Sequence, residues 1–477
     1  MTRVHRQEDC IATPAAIAPR TKLPFDHLLF ALKHEGTNLS ILAEALPQIP
    51  ANQLEGALKN SPNGQYLRKA GFLWEHFTGR ELRRFRAPQG GGVLLFDPKQ
   101  YVTGPARRNS RWRLDFNGLG TIDYCASIER TVAIDAMLKH DVLERTRQFM
   151  KSLPEEMMDR AINWAYLHET QDSFAIEKEA PSGDKARRFI QLLHQAHDRV
   201  TLSEKYLVEL QNSVVGNPFD QAALFRHEQN HLRSSMRGLA GVTYIPPPPE
   251  LCRELMGELM AFANELPDEV PPLVMASVIS FGFVFLHPFM DGNGRLSRFL
   301  IHHSLCSTGA LDRGTLLPIS VAMKKHERGY LEALRSFSAP VRDRWDMSWL
   351  DGERFGFEFE GEDAIYRYWD ATECTEFLLR MADQALDVEL RAETEFLANY
   401  DKVYRAMDDQ FDVRGSDLSL LIVNCLDQGG RVSNNRRKQF KDRVPESVFD
   451  ALEAIVRDTL SRLEEDPAAD DQDITRP

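Results

Sequence analysis

Leu286-His287-Pro288-Phe289-Met290-Asp291-Gly292-Asn293-Gly294-Arg295-Leu296-Ser297-Arg298 follows an apolar run from Val278 to Leu286 and leads into a helical pattern that continues to about Ser307. The stretch reads as helix, tight loop, helix. Gly292 and Gly294 let the backbone take positive φ and come close to a ligand. The second helix opens with unpaired N–H groups, so the loop is an anion cradle suited to phosphates. Asp291 offers the hard carboxylate oxygen that Mg²⁺ accepts beside phosphate oxygens, and Arg295 and Arg298, on one helical face, can clamp a triphosphate. His287, with an ordinary pKa of about 6.5, suits removal of a proton from an attacking hydroxyl. Singly, each part has a plain alternative: a structural histidine before proline, a glycine turn, two arginines on a solvated face. Together they describe one phosphate site.

At every fixed position the segment resembles the Fic signature: His-Pro-Phe, two variable positions, Gly-Asn-Gly-Arg, two variable positions, Arg. The resemblance implies an all-helical core whose loop binds ATP-Mg²⁺. It implies that His287 activates a Ser, Thr or Tyr hydroxyl of a protein target, the chain itself included, for attack on the α-phosphorus, with pyrophosphate leaving. By the same likeness Asp291 holds the metal, Phe289 anchors the loop, and the run Asp291, Gly292, Asn293, Gly294, Arg295, Leu296, Ser297, Arg298 binds ATP. Kinase-like relatives carry lysine at the second loop glycine, so Gly294 implies transfer of AMP. Phe225-Arg226-His227-Glu228-Gln229-Asn230 and Val242-Thr243-Tyr244, before four prolines at 246 to 249, look like the family's Arg/Gln segment and its β-hairpin flap, which docks the target as an added strand. By propensity alone, residues 242 to 245 are an extended segment. Tyr330 is placed near adenine.

Upstream, Ser173-Phe174-Ala175-Ile176-Glu177 sets a hydroxyl and a carboxylate four apart, on one face if helical. It resembles the family's inhibitory helix, near 170–178, and by that likeness Glu177 pairs with Arg298 and occupies the arginine meant for the γ-phosphate. Lys178 departs from the pattern, which has Gly or Asn there to serve a left-handed cap.

Farther out, three regions are expected: 1–130, small and helical, winged-helix-like; 131–345, the Fic-like core; and 346–477, helical with an acidic tail. The fold class is mainly α. Helices are expected at Phe25 to Lys33, from an Asn38 cap to a stop at Pro47, at Ala51 to Lys59, and through Phe72, Trp74 and Phe77. Gly90, Gly91 and Gly92 with Val93 to Phe96 suggest a hairpin or wing, and Arg107, Arg108, Arg111 and Arg113 a solvated basic loop. Leu251, Leu255, Met256, Leu259 and Phe262 mark one helix face. Beyond Trp345 the chain reads as irregular, then helical from about 370 to 408. The tail with Glu464, Glu465, Asp466, Asp470 and Asp471 is expected to be disordered.

The bulk numbers fit. A chain of 477 residues with 43 % hydrophobic content can build more than one core. No apolar run approaches the roughly 18 residues of a membrane span and the N-terminus reads as no secretory signal, so a cytoplasmic protein is expected. Six scattered cysteines without a CxxC pair read as buried thiols. A net charge of −13 opposes wholesale attraction to nucleic acid. Arg431, Arg436, Arg437, Lys438, Lys441 and Arg443 still form a basic patch that leaves phosphate contact open. Three functions are therefore weighed: an autoinhibited AMP transferase, a DNA-binding regulator whose core senses nucleotide, and removal of AMP at the same site with Glu177 orienting water. A homo-oligomer is left open.

Overall fold

The computed structural model describes residues 5–7, 10–14, 17–19, 22–215, 220–265, 267–351 and 354–465. The tail from Asp466 onward, including Asp470 and Asp471, lies outside them, whereas Glu464 and Glu465 close the last helix. The architecture is mainly α. Contacts divide the chain into two units, residues 1–147 with 166–383, and 148–165 with 384–477. The boundaries read from the sequence at 130/131 and 345/346 both fall inside the first.

The first unit opens with the hairpin β1 (His5–Gln7) and β2 (Cys10–Ala12), then α1 (Pro24–His34), α2 (Leu39–Ala45), α3 (Ala51–Asn60) and α4 (Gln65–Thr78). Asn38 caps α2, its side chain accepting from Ile41 N at 3.1 Å. The helix stops at Ala45, two residues before Pro47, and passes into a short 3-10 turn. These helices bury Leu46, Leu54, Leu58, Leu73 and Trp74 with Trp112. Trp112 lies so close to Gly71 that a Cβ there would stand 2.2 Å from its ring. Next come β3 (Val93–Leu94), β4 (Arg107–Asn109), β5 (Leu114–Phe116), β6 (Leu119–Gly120) and β7 (Cys125–Ser127).

The hairpin or wing expected at 93–96 forms as a strand over Val93–Leu94, without hairpin pairing, at the edge of a three-stranded sheet ordered β3–β5–β4. β3 pairs in parallel with β5, and β5 with β4 antiparallel, because Arg68 reaches up from α4 to the carbonyls of Gly91, Trp112 and Arg113 and fixes both segments on the helix. Nor are the arginines around Trp112 merely solvated. Arg107 pairs with Glu265, Arg108 with Asp115, and Arg111 with Glu75 at 2.8 Å, while Arg113 donates to Gln89 O and Gly90 O. All but Asp115, which faces Arg108 across β4 and β5, come from segments more than 20 residues away.

The helical part that follows comprises α5 (Val132–His140), α6 (Val142–Ser152), α7 (Glu155–Ile176), α8 (Gly183–Gln195) and α9 (Glu204–Val214). After a short hairpin of β8 (Leu232–Arg233) and β9 (Val242–Tyr244) come α10 (Pro249–Glu265), α11 (Pro272–Leu286), α12 (Asn293–Ser307), α13 (Ile319–Lys325) and α14 (Glu327–Arg342). α10 buries the face read from Leu251 to Phe262. α11 is apolar all round and buried from Leu273 to Leu286, as a helix without a polar face must be. It leans on α12, so the loop between them is held at both ends by the best-packed helices of the unit.

The stretch beyond Trp345 is not irregular. β10 (Trp345–Asp351) and β11 (Arg354–Phe359) form an antiparallel hairpin whose Trp345, Met347, Phe357 and Phe359 pack with Val242 and Ile245. Trp345-Asp346-Met347 and Phe357-Glu358-Phe359 alternate as half-buried strands do, but the exposed Trp349 and Leu350 interrupt the pattern. α15 (Ala364–Arg367), β12 (Tyr368–Asp370), parallel to β7, and α16 (Thr372–Gln384) complete the unit. The second unit carries α17 (Arg391–Asp408), α18 (Gly415–Asp427), α19 (Asn434–Phe440) and α20 (Glu446–Glu465), packed around Met407, Leu421, Ile422, Phe449 and Leu452. In the basic patch, Arg437 is held by Glu446, Asp450 and Glu453, and Arg443 by Asp417. The five cysteines whose side chains are described are buried and free. Among the described residues no helix is long and apolar enough to cross a membrane.

Candidate active site

His287 ends α11 in the left-handed conformation, φ 51° and ψ 58°. This posture turns its ring out of the helix line. Its Nδ1 faces Val284 O at 3.1 Å; with the proton on Nδ1 donating there, Nε2 carries the lone pair. Burial pushes the imidazole down to about 4, so near neutrality it is an uncharged base.

The loop beyond is braced from within. Asn293 accepts from Phe289 N at 3.0 Å and donates to Phe289 O at 2.7 Å, closing a ring across the turn. Its side chain is therefore spent on the backbone of the loop itself. Phe289 is buried against Phe225 and Phe283. Leu296 is core, and Ser297 donates to Gly294 O at 2.9 Å, so both side chains serve the helix. Gly292, at φ 88°, begins α12, and no side chain caps that end.

Both arginines are buried and both are engaged. Arg298 donates from Nε to Ser173 Oγ at 2.9 Å, and from Nη2 to Ser173 O at 2.7 Å and Glu177 Oε1 at 2.8 Å. Arg295 donates from Nη1 to Glu179 Oε2 at 2.7 Å and Val214 O at 3.2 Å, and from Nη2 to both Asp291 carboxylate oxygens at 3.2 Å. Arg295 Nε and Arg298 Nη1 have no acceptor among the described residues.

The end of α7 is thus inserted over the loop. Glu179 N bonds Phe174 O at 3.1 Å and Lys178 N bonds Ala175 O at 3.0 Å, the paired closure of a Schellman motif, with Lys178 at φ 59° where glycine is usual. Lys takes the left-handed cap itself. Lys324 Nζ also donates to Ala175 O at 3.1 Å. Two turns before the end of α7 the buried Glu169 accepts from His302 Nε2 at 2.7 Å and from Ser320 N at 2.7 Å, fixing α7 to α12 and α13.

Glu169, Glu179 and Lys324 were missed in the sequence. Glu179 stands two residues beyond the Ser-to-Glu spacing and beside a lysine, like any solvated acid, and its partner is 116 residues away. Tyr330 lies under this assembly. Its ring packs against Phe281 and Phe377, and burial pushes its hydroxyl up to about 12, Arg298 opposing the rise and Glu177 adding to it.

Val242, Thr243 and Tyr244 form β9. Thr243 is exposed, while Val242 and Tyr244 point into the core, Tyr244 Oη donating to Phe285 O. Asp291 is the only carboxylate the sequence offered for a metal, and no group of three His, Cys, Asp or Glu converges among the described residues. A half-exposed single carboxylate fits Mg²⁺ that arrives on phosphate oxygens and keeps most of its waters.

Residues 201–305 match the Fic/DOC family model. The chain is similar to protein adenylyltransferase fic-1 of Caenorhabditis elegans, 28 % identical over 129 residues, covering 26 % of this chain and 23 % of that protein. It is likewise similar to protein adenylyltransferase Fic of Nematostella vectensis, 26 % identical over 132 residues, covering 26 % and 28 % respectively. The matched part thus spans about a quarter of these relatives. Among solved structures, a Fic family protein from Desulfovibrio desulfuricans G20 aligns with a TM-score of 0.40 at 19 % identity, covering 71 % of this chain and 90 % of that one. A Fic domain containing signaling protein from Bacteroides thetaiotaomicron VPI-5482 aligns at 0.38 and 18 %, covering 52 % and 95 %.

Proposed function

We propose that this chain, which carries a Fic domain at residues 201–305, is an autoinhibited protein adenylyltransferase of the cytosol that uses ATP and Mg²⁺. One observation carries the reading: a neutral buried imidazole stands at the mouth of an uncapped helix N-terminus flanked by two buried arginines, and the chain's own carboxylates occupy those arginines.

With the triphosphate in the cradle, His287 Nε2 takes the proton of a Ser, Thr or Tyr hydroxyl as its oxygen bonds to the α-phosphorus. The bond from the α-phosphorus to the oxygen bridging to the β-phosphate breaks, and pyrophosphate leaves. The first-turn N–H groups of α12 and the two guanidinium groups take up the charge on the outer phosphates, the kind of fixed stabilisation on which phosphoryl-type transfer depends. Asp291 would hold Mg²⁺, which neutralises phosphate charge when bound. Thr243, outward on β9, belongs to the strand along which a target backbone would add. In the resting state Glu177 keeps Arg298 from the γ-phosphate.

The test is intact mass after incubation with ATP and Mg²⁺. Glu177→Gly protein gains one AMP and the Glu177→Gly/His287→Ala protein gains none. Absence of any gain in the former, together with tight binding of DNA, would replace this reading with a nucleotide-sensing regulator.

A further inference from the structure

A helix normally ends with several main-chain carbonyls unmatched. At the end of α11 every carbonyl from 283 to 288 has its own donor. Phe283 O accepts from His287 N at 2.9 Å, and Val284 O faces His287 Nδ1 at 3.1 Å. Phe285 O accepts from Tyr244 Oη and Leu286 O from Cys252 Sγ at 3.1 Å. His287 O accepts from Arg226 Nε at 2.8 Å, and Pro288 O from Arg226 N at 2.7 Å. The base itself sits at φ 51°, a conformation that costs an L-residue about 1–2 kcal/mol. Such a posture persists only where its surroundings over-determine it.

Arg226 contributes twice to that hold and belongs to neither the phosphate cradle nor the latch. It is 4 % exposed and has no carboxylate partner among the described residues. A buried guanidinium without a counter-ion is costly, so its use must be sought in what it touches. Its hydrogen bonds go to main-chain oxygen, with the Cys252 thiol beside it. Besides His287 O, Nη1 donates to Glu228 O at 3.0 Å and Nη2 to Pro247 O. Pro247 lies three residues after β9, at the foot of the flap, and Gln229 Nε2 secures the neighbouring Pro246 O at 2.8 Å. One planar side chain therefore bridges the carbonyl of the base and the foot of the strand along which a target would lie.

We infer that Arg226 is a positioning residue: its guanidinium fixes the His287 peptide, and through it the direction of Nε2, against the foot of the flap. Target engagement and base alignment are thereby joined through one side chain. The inference rests on His287 being the base of the proposed transfer. Arg226 is also one of the charges that help burial keep the imidazole neutral.

The experiment compares Arg226→Lys and Arg226→Met in the Glu177→Gly background, measuring the rate of AMP gain by intact mass, ATP affinity by titration, and the pH–rate profile. Lys keeps the charge and loses the fork; Met loses both. Both variants are expected to bind ATP within about twofold of the parent and to transfer AMP about 10²-fold more slowly, the scale on which small misplacements act. The acid limb stays put in Arg226→Lys and moves to higher pH in Arg226→Met, because removing the cation eases protonation of His287. Undiminished transfer in both variants overturns the inference. So does loss of ATP binding in both, which assigns Arg226 to the fold alone. Absence of transfer in the Glu177→Gly parent is a different result: it removes the proposed function itself, and is seen before either Arg226 variant is read.

Discussion

A Cβ on Gly294 would come within 2.0 Å of Glu177 Oε1. The carboxylate thus fills the space directly over the first turn of α12, the same space that a phosphate needs to meet the helix N–H groups. Gly294→Ala is expected to expel Glu177 without restoring function, since the new methyl stands where phosphate would. ATP titration of Gly294→Ala in the Glu177→Gly background is expected to show affinity at least tenfold below the Glu177→Gly parent. Equal affinity would mean that the cradle lies elsewhere.

Glu179 holds Arg295 as Glu177 holds Arg298, and Arg295 in turn contacts Asp291. On the proposed reading, the two carboxylates stand where a polyphosphate would lie. Because Glu179 is 41 % exposed, its ion pair is worth about 0.5–1 kcal/mol, a two- to fivefold effect. Glu179→Gln added to Glu177→Gly should raise AMP transfer by that factor at limiting ATP. A rate unaltered across the ATP range would show Glu179 to be a bystander.

Lys178 occupies a left-handed cap at φ 59° that glycine adopts without strain. Lys178→Gly should stabilise the closed end of α7 by about 1 kcal/mol and lower basal transfer several-fold. Thermal melts and basal rates check the two effects together; higher basal activity in Lys178→Gly would contradict the link between this cap and the latch.

His287 and His303 are each held down to about 4, burial being the first cause for both. Unfolded, they take a proton below about 6.5. The unfolded state therefore binds more protons between those values, and their contribution, complete above about pH 6.5, is lost as pH falls toward 4. Two such groups give a slope of up to about 2.7 kcal/mol per pH unit. Urea midpoints at pH 7.5, 6.0 and 5.0 measure it, with His303→Gln expected to halve the two-histidine part. A slope unchanged by that substitution would leave His303 out of the account.

The helix, loop, helix of 278–307 is legible because its signals are local: an apolar run, glycines at the turn, arginines at helical spacing. So is the Ser173-to-Glu177 spacing. Asn293 shows where legibility stops, since an asparagine in a glycine loop serves a ligand or its own backbone with the same sequence, and here it braces Phe289. Glu169 and Glu179 are read only through partners more than 100 residues away. The β3–β5 pairing and the β10–β11 hairpin were missed for a related reason. The first is a parallel pair between segments that α4 brings together, and in the second the exposed Trp349 and Leu350 interrupt the alternation of the strand.

The carboxylate that holds Arg298 is carried by the same chain, 121 residues before it. A tethered occupant has an effective concentration set by the chain and independent of how much protein is present. Dilution or overexpression leaves such occupancy unchanged. On the proposed reading, whatever opens this site competes with α7 within a single molecule.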